Sequence, residues 1–281
     1  STVLSGGEIV LSSGGSTNIV NISSGGVFNI LSGATTNNTI LSAGGTLNIW
    51  NSFAAAHHDY HTASSAAVIN VMSGGVLSAG DVASGGTINV TSGSVASGTI
   101  VSGGGTMAVS GTATATTISS GGAVTVSSGG YLNTATVLST GVVTLLSGSV
   151  ASGMNIYAGG TVNLGTYYNA KHAYAMQVHL GAINVLSGGV LSAGDVASNG
   201  RINVSSGGSV TDTIVSGGGT LNTLAGGAVN SATIISGGTL SAANGALLSG
   251  QITVSAGGAE LSGSLASAAV MAVQGTASAT T

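Results

Sequence analysis

Aliphatic and polar residues alternate along this chain in segments only three or four residues long. Phe28-Asn29-Ile30, Ile69-Asn70-Val71, Ile88-Asn89-Val90, Val124-Thr125-Val126, Val143-Thr144-Leu145, Ile183-Asn184-Val185 and Ile202-Asn203-Val204 each hold one polar residue between two aliphatic ones, and Asn222 takes the same place later in the chain. Period-two alternation in short β-branched segments predicts strands with one face buried. A second set of segments predicts another inward column: Ile22, Ile40, Val82, Ile100, Ile118, Val137, Ile156, Val196, Ile214 and Ile234. Their preceding neighbours, Asn21, Thr39, Asp81, Thr99, Thr117, Thr136, Asn155, Asp195, Thr213 and Thr233, are then expected to point outward.

Between the segments stand turn doublets of the Ser-Gly-Gly kind. Their serines are Ser5, Ser13, Ser24, Ser32 and Ser42, then Ser73, Ser84, Ser92, Ser102, Ser110, Ser120, Ser128, Ser139 and Ser147. Shorter and longer steps alternate between them, and one pair of steps gives a repeat of roughly 18–19 residues. Short strands joined by glycine turns at fixed intervals predict an all-β fold, a right-handed parallel β-helix (β-solenoid) of about a dozen coils. With coils hydrogen-bonded about 4.8 Å apart, such a rod is roughly 55 to 60 Å long. Residues 1–281 read as one domain, with the coils over 245–281 less regular.

Composition narrows the function classes. Of 281 residues 50 are Gly, none is Pro or Cys, and 43% are hydrophobic, so a core of Val, Ile, Leu and Ala can form. Glycine does not recur every third residue, which excludes collagen, and the mean hydropathy of +0.56 with a net charge of -4 excludes a disordered chain. No apolar run approaches the roughly 18 residues of a membrane-spanning helix, so no membrane insertion is expected. Lys171 and Arg201 are the only basic residues apart from histidine, too few to neutralise a phosphate backbone, so nucleic acid is not an expected partner.

Written coil by coil, the repeats closely resemble the AIDA-type repeats of bacterial autotransporter adhesin passengers. The resemblance is carried by Thr99-Ile100-Val101-Ser102-Gly103-Gly104, Thr213-Ile214-Val215-Ser216-Gly217-Gly218 and Thr233-Ile234-Ile235-Ser236-Gly237-Gly238. It implies a passenger displayed extracellularly on the outer membrane of a Gram-negative cell, acting in adhesion, autoaggregation and biofilm growth. Expected partners are other copies of the rod on neighbouring cells, a host surface receptor or a glycan. The resemblance also implies a heptosyltransferase acting on repeat serines. No signal peptide or translocator barrel is read in the sequence, so Ser1 is expected to open a mature fragment.

Two stretches break the rhythm. After Ser42 the next doublet comes only at Ser73, and after Ala158 only at Ser187, which reads as insertions over about 50–67 and 165–182. They belong to a larger duplication, since Val76-Leu77-Ser78-Ala79-Gly80-Asp81-Val82-Ala83-Ser84 recurs unchanged over residues 190–198. Both insertions are expected to be short helices. Thr166 reads as an N-cap and Gly181 as a C-terminal stop, with Tyr167, Ala170, Tyr174 and Val178 on one stripe and Phe53, Ala56, Tyr60 and Ala63 on the other. The bland role for these stripes is packing on the solenoid wall. The sharper role is a binding surface of Trp50, Phe53, His57, His58, Tyr60, His61, Tyr167, Tyr168, Lys171, His172, Tyr174 and His179, which gathers all five histidines. His57 and His61 have i, i+4 spacing that suits a metal, but two ligands are too few and the second insertion lacks the pair, so neither metal nor other cofactor is expected.

An enzyme is the least favoured reading. The six acids are Glu8, Asp59, Asp81, Asp195, Asp212 and Glu260. Asp81 and Asp195 fall about five coils apart, roughly 24 Å at the inter-coil spacing, whereas a glycosidase pair needs about 5 to 9.5 Å. A polysaccharide-active β-helix is therefore not expected. An ice-binding or purely structural solenoid is the alternative to an adhesin. Against ice binding, the residue two after the column threonine varies through Leu41, Val101, Ser119, Leu138, Tyr157 and Val215, so no two-rank threonine array forms there.

Overall fold

The computed structural model describes residues 1–50, 61–63, 66–83, 85–169, 177–261, 264–265 and 270–278, and every regular element among them is a β-strand. Each coil of this parallel β-solenoid contributes strands to three faces. The chain divides into two compact units, one of Ser1–Thr136 with Thr140–Val143, the other of Val137–Ser139 with Thr144–Thr281.

In the first unit, the first face stacks Glu8–Leu11, Val27–Ile30, Thr46–Ile49, Val68–Val71, Thr87–Val90, Thr106–Val109 and Ala123–Val126. All neighbours pair parallel, so that Val27 lies beside Thr46, Thr46 beside Val68, and Thr87 beside Thr106. In the second unit the same face stacks Thr161–Leu164, Ala182–Val185, Arg201–Val204, Thr220–Thr223, Thr239–Ala242, Ala259–Leu261 and Thr276–Ser278. The third face of the first unit includes Thr35–Leu41, Gly80–Val82, Ile100–Val101 and Thr117–Ile118.

Parallel register puts like on like, and the core follows from that. On the first face the second and fourth residues of the four-residue strands turn inward. Phe28 and Ile30, Leu47 and Ile49, Ile69 and Val71, Ile88 and Val90 are all buried, as are Ile183 and Val185, Ile202 and Val204 in the second unit. Each such side chain contributes about 1.5–3 kcal/mol from burial alone, so three narrow columns suffice where a globular protein uses aromatics.

The glycine doublet answers two different demands. Gly104 has φ +77, a conformation open to residues without a Cβ. Its neighbour Gly105 lies against the previous coil, where an added Cβ would sit 2.7 Å from the carbonyl oxygen of Val82. The N–H of Gly105 also closes the turn by donating to Ser102 O at 2.8 Å.

That closing glycine, rather than the serine, sets which residues face the core. Val82, Ile22, Ile118, Ile156, Val196 and Ile234 are buried as expected. Ile40 and Ile100, however, are 50% and 43% exposed, while Thr39, Thr99 and Thr213 are buried and Leu41, Val101 and Val215 take the inward place. The reason is where the serine stands in the turn: Gly26 closes on Ser23 O, as Gly45 closes on Ser42 O and Gly105 on Ser102 O, so Ser24 is the second residue of its turn and Ser42, Ser102 and Ser216 the first. Ser42-Ala43-Gly44-Gly45, Ser102-Gly103-Gly104-Gly105 and Ser216-Gly217-Gly218-Gly219 carry one more residue after the serine than Ser24-Gly25-Gly26 does. Counting back from the serine shifts the strand by one residue, which exchanges its faces. The displaced threonines are left with hydroxyls that find no hydrogen-bond partner in the core, at Thr39, Thr99 and Thr213, and the same holds for Thr36, Thr116 and Thr223.

The expected helices are corrected on the residues described. His61–Ala63, Tyr167–Asn169 and Gln177–His179 are strands in the parallel ladders, His61 lying beside Gly80 and beside Thr39, Val178 beside Val196. Thr166 caps no helix; its hydroxyl donates to Ser149 O at 3.3 Å. Stacked asparagines measure the length of each coil. Their sequence separation is 22 from Asn48 to Asn70 and 21 from Asn163 to Asn184, against 19 from Asn70 to Asn89. The two spans are thus coils slightly longer than their neighbours. They look like insertions because their closing turns lack Gly-Gly: Ala66, at φ 62, precedes Ala67, and Leu180, at φ 57, precedes Gly181. The middles of both spans, 51–60 and 170–176, lie outside the described residues.

The outward third residue of the first-face strands builds amide ladders. Asn48 Nδ2 donates to Asn29 Oδ1 at 2.7 Å, Asn70 to Asn48 at 2.8 Å and Asn89 to Asn70 at 2.8 Å, while Asn29 itself donates to the Glu8 carboxylate at 2.6 Å. In the second unit Asn184 donates to Asn163 at 2.9 Å, Asn203 to Asn184 at 3.0 Å and Asn222 to Asn203 at 3.4 Å. All amides point the same way, and in the first unit the donor end of the chain meets a carboxylate, a charge-assisted finish. Both ladders run through a lengthened coil without a break, so the extra residues leave the first face unchanged.

Two stability outcomes are expected. Thr99→Val and Thr213→Val each remove an unpartnered buried hydroxyl worth about 1–3 kcal/mol, so both raise the urea midpoint, while outward Thr117→Val leaves it unchanged. Asn48→Ala, which breaks two ladder bonds, lowers the midpoint by about twice as much as Asn89→Ala, which breaks one, at roughly 1 kcal/mol per bond. Equal losses in the second pair would show that the ladder contributes nothing beyond the side chain itself.

Candidate functional site

The residues singled out by sequence are distributed between positioned strands and the spans outside the described residues. Trp50 directly follows the first-face strand Thr46–Ile49; its N–H donates to Ile30 O at 3.0 Å and its side chain is 36% exposed. His61 opens the strand His61–Ala63, Tyr167 and Tyr168 open Tyr167–Asn169, and His179 closes Gln177–His179. Phe53, His57, His58, Tyr60, Lys171, His172 and Tyr174 lie outside the described residues, and with His57 goes the metal pair His57 and His61. Among the described residues no group of three or more His, Cys, Asp or Glu could hold a metal ion.

Each lengthened coil is followed by the same nine-residue segment, and the structure explains its spelling. Leu77 and Leu191 are buried, and a Cβ on Gly80 or Gly194 would meet the leucine Cδ2 at 2.7 and 2.8 Å. Ala79, at φ 51, and Ala193, at φ 56, turn the chain between leucine and glycine. The aspartate that follows is thereby fixed on the third face, Asp81 beside Thr62 of the preceding coil and Asp195 beside Gln177. Partial burial pushes the Asp81 carboxyl above the usual aspartate range. These two acids occupy equivalent strand positions in separate units and form no catalytic pair within either.

The first face offers a second candidate surface. Its outward positions are mainly Thr, Val, Ala and Asn, and its only charged members are Glu8 and Arg201, with the inward Glu260 apart. Side-chain hydrogen bonding between coils, including Thr87 to Thr106 at 3.1 Å, holds this face in one conformation.

A third feature escaped the sequence reading. The residue just after several first-face strands stands at an exposed corner. There Leu31 is 37% and Trp50 36% exposed, with the half-buried Met72 next in the column; in the second unit Leu186 and Leu224 are 39% and 45% exposed. The signal was present as a Leu or Met immediately before Ser32, Ser73 and Ser187. In the sequence it carries no pattern of its own, because the alternation ends one residue earlier, at Ile30, Val71 and Val185. Those corner serines are exposed, and the hydroxyls of Ser73 and Ser187 lie over a glycine of the next coil: a Cβ on Gly93 would come 2.8 Å from Ser73 Oγ, and one on Gly207 2.7 Å from Ser187 Oγ. The absence of a side chain on the glycine leaves the hydroxyl open to approach.

Comparison with known proteins places this architecture. No family model matches the chain, and no curated protein matches it. Among solved structures, the crystal structure of a TibC-catalysed, hyper-glycosylated TibA fragment matches with a TM-score of 0.68 and 29% identity, covering 94% of this chain and 94% of its own. A match of that extent agrees with the repeat register described above and supports the AIDA-type passenger resemblance carried by the repeats: the chain is a β-solenoid similar to this fragment over nearly the whole length of both.

Proposed function

We propose that the chain is a surface-displayed passenger that mediates bacterial adhesion, autoaggregation or biofilm formation, with the solenoid as scaffold. The observation that carries this reading is the likeness to the TibA passenger fragment over nearly the whole of both chains. Stacked coils with few charges suit a display role, and nothing in the described faces gathers the acids and bases that hydrolysis or elimination requires.

In this reading the contact chemistry sits on the lengthened coils. They hold Trp50, Phe53, His57, His58, Tyr60 and His61 in one unit and Tyr167, Tyr168, Lys171, His172, Tyr174 and His179 in the other, which is where aromatic and cationic side chains are concentrated in this sequence. The partner is another copy of the rod on a neighbouring cell, a host receptor or a glycan. A second reading puts contact on the first face, where each ladder amide keeps one N–H and one lone pair to bond across to another rod. The fixed direction of the ladders favours it.

The exposed corner serines are proposed acceptors for a heptosyltransferase of the TibC kind, since the matched fragment is described as hyper-glycosylated by TibC. Ser13, Ser32, Ser73, Ser187 and Ser206 share the exposed corner position.

Replacing residues 51–60 and 170–176 by Gly and Ser at unchanged length is expected to keep the far-UV spectrum of a β-solenoid and to abolish adhesion and aggregation of bacteria displaying the chain. Retained adhesion would sink the first reading. Asn89→Asp, Thr125→Asp and Asn203→Asp together are expected to leave adhesion intact; loss of aggregation there moves the contact to the ladders. Co-expression with such a glycosyltransferase is expected to raise the intact mass in heptose steps, one fewer for each of Ser73→Ala and Ser187→Ala. An unchanged mass removes the modification from the proposal.

A further inference from the structure

One acid stands in the core. In the second unit the inward second position of the first face runs Val162, Ile183, Ile202, Leu221, Leu240, each fully buried, and then Glu260 at 3% exposure. Register confirms the place: Leu240 pairs with Glu260, and Glu260 with Ala277. Every other occupant of this column in the second unit is an aliphatic residue or alanine.

The surroundings supply no countercharge. Glu260 is the one acidic or basic side chain in residues 213–281. The strands stacked on it, Thr239–Ala242 and Thr276–Ser278, and those of the other faces, Leu247–Val254 and Val270–Val273, contain no Asp, Glu, His, Lys or Arg. Arg201, the nearest base on the same face, sits at an exposed outward position three strands earlier, beside Thr220, which lies beside Thr239. An ionised carboxylate in an apolar column without a cation is strongly disfavoured, whereas a neutral carboxylic acid costs no more than another polar group of its size.

We propose that Glu260 makes the coil carrying Ala259–Leu261 a proton-dependent clasp, seated in the column when its carboxyl is protonated and released when it ionises. Burial pushes the Glu260 carboxyl above the usual glutamate range, which is the direction the clasp requires. The sign follows from linkage. With the folded value above the unfolded one, the stabilisation is fully present below the unfolded pKa and is lost as pH rises through the folded pKa. That coil is therefore tight in acid and loosens toward neutral pH. Because each coil contacts only its neighbours, the loosening stays local. Asp81 shifts in the same direction but lies in the other unit, so the readout must be resolved by segment.

Hydrogen exchange followed by mass spectrometry on the full chain, corrected for intrinsic rates, tests this across pH 4 to 8. Protection over residues 247–261 is expected to fall with rising pH by up to about tenfold per unit, the limit for one proton, while protection over 182–204 stays level. Glu260→Gln and Glu260→Leu are expected to abolish the dependence, the leucine variant by completing the column. A level profile in the unaltered chain, or a slope that survives in both variants, overturns the clasp.

Discussion

The parallel register between successive coils is the constraint on which the rest of this structure depends. Backbone hydrogen bonds hold equivalent residues about 4.8 Å apart along the stack, so a residue's neighbours are mainly its own counterparts. Whatever a position holds, it holds as a column. Aliphatic columns make a core that, among the described residues, has no aromatic beyond Phe28; amide columns make the ladders from Glu8 to Asn89 and from Asn163 to Asn222.

The same rule sets the fate of each polar group by which way its position points. Asn48 and Asn203 face outward, and their stacking neighbours satisfy them. Thr99 and Glu260 face inward, where the neighbours above and below are apolar or equally unable to help. Polar side chains can thus stabilise or destabilise the stack within a few positions of one another. Departures from the common separation of 19 are absorbed at the corners: the coils with separations of 22 and 21 leave the first-face ladders intact, so chemistry can be added to a coil without disturbing the scaffold that carries it.

Repeat length, strand character, the first-face core and the outward amides were all legible in the sequence, because alternation and glycine spacing state them directly. The inward choice at Thr39, Thr99 and Thr213 was not, since Ser-Ala-Gly-Gly and Ser-Gly-Gly-Gly turns hide a shift of one residue that only the closing hydrogen bond reveals. The lengthened coils were misread for a related reason. Ala66-Ala67 and Leu180-Gly181 make the turn that Gly-Gly makes elsewhere, so the motif vanished where the structure persisted, and segments 61–63 and 177–179 looked free to be helical. The exposed corner of Leu31 and Trp50 was present in the letters but had no meaning until the turn was placed.

By itself the sequence determined that this chain stacks short strands into a repeating solenoid with few charges and concentrates its aromatic and histidine residues in two spans. Period and composition are local properties, and local patterns report them. Tertiary structure alone decided that Thr39, Thr99 and Thr213 rather than the isoleucines beside them enter the core, that the two spans are lengthened coils, and that Glu260 occupies an aliphatic column without a countercharge. Those outcomes depend on register with the coils above and below, and register is fixed by hydrogen bonds between segments a full coil apart in the chain.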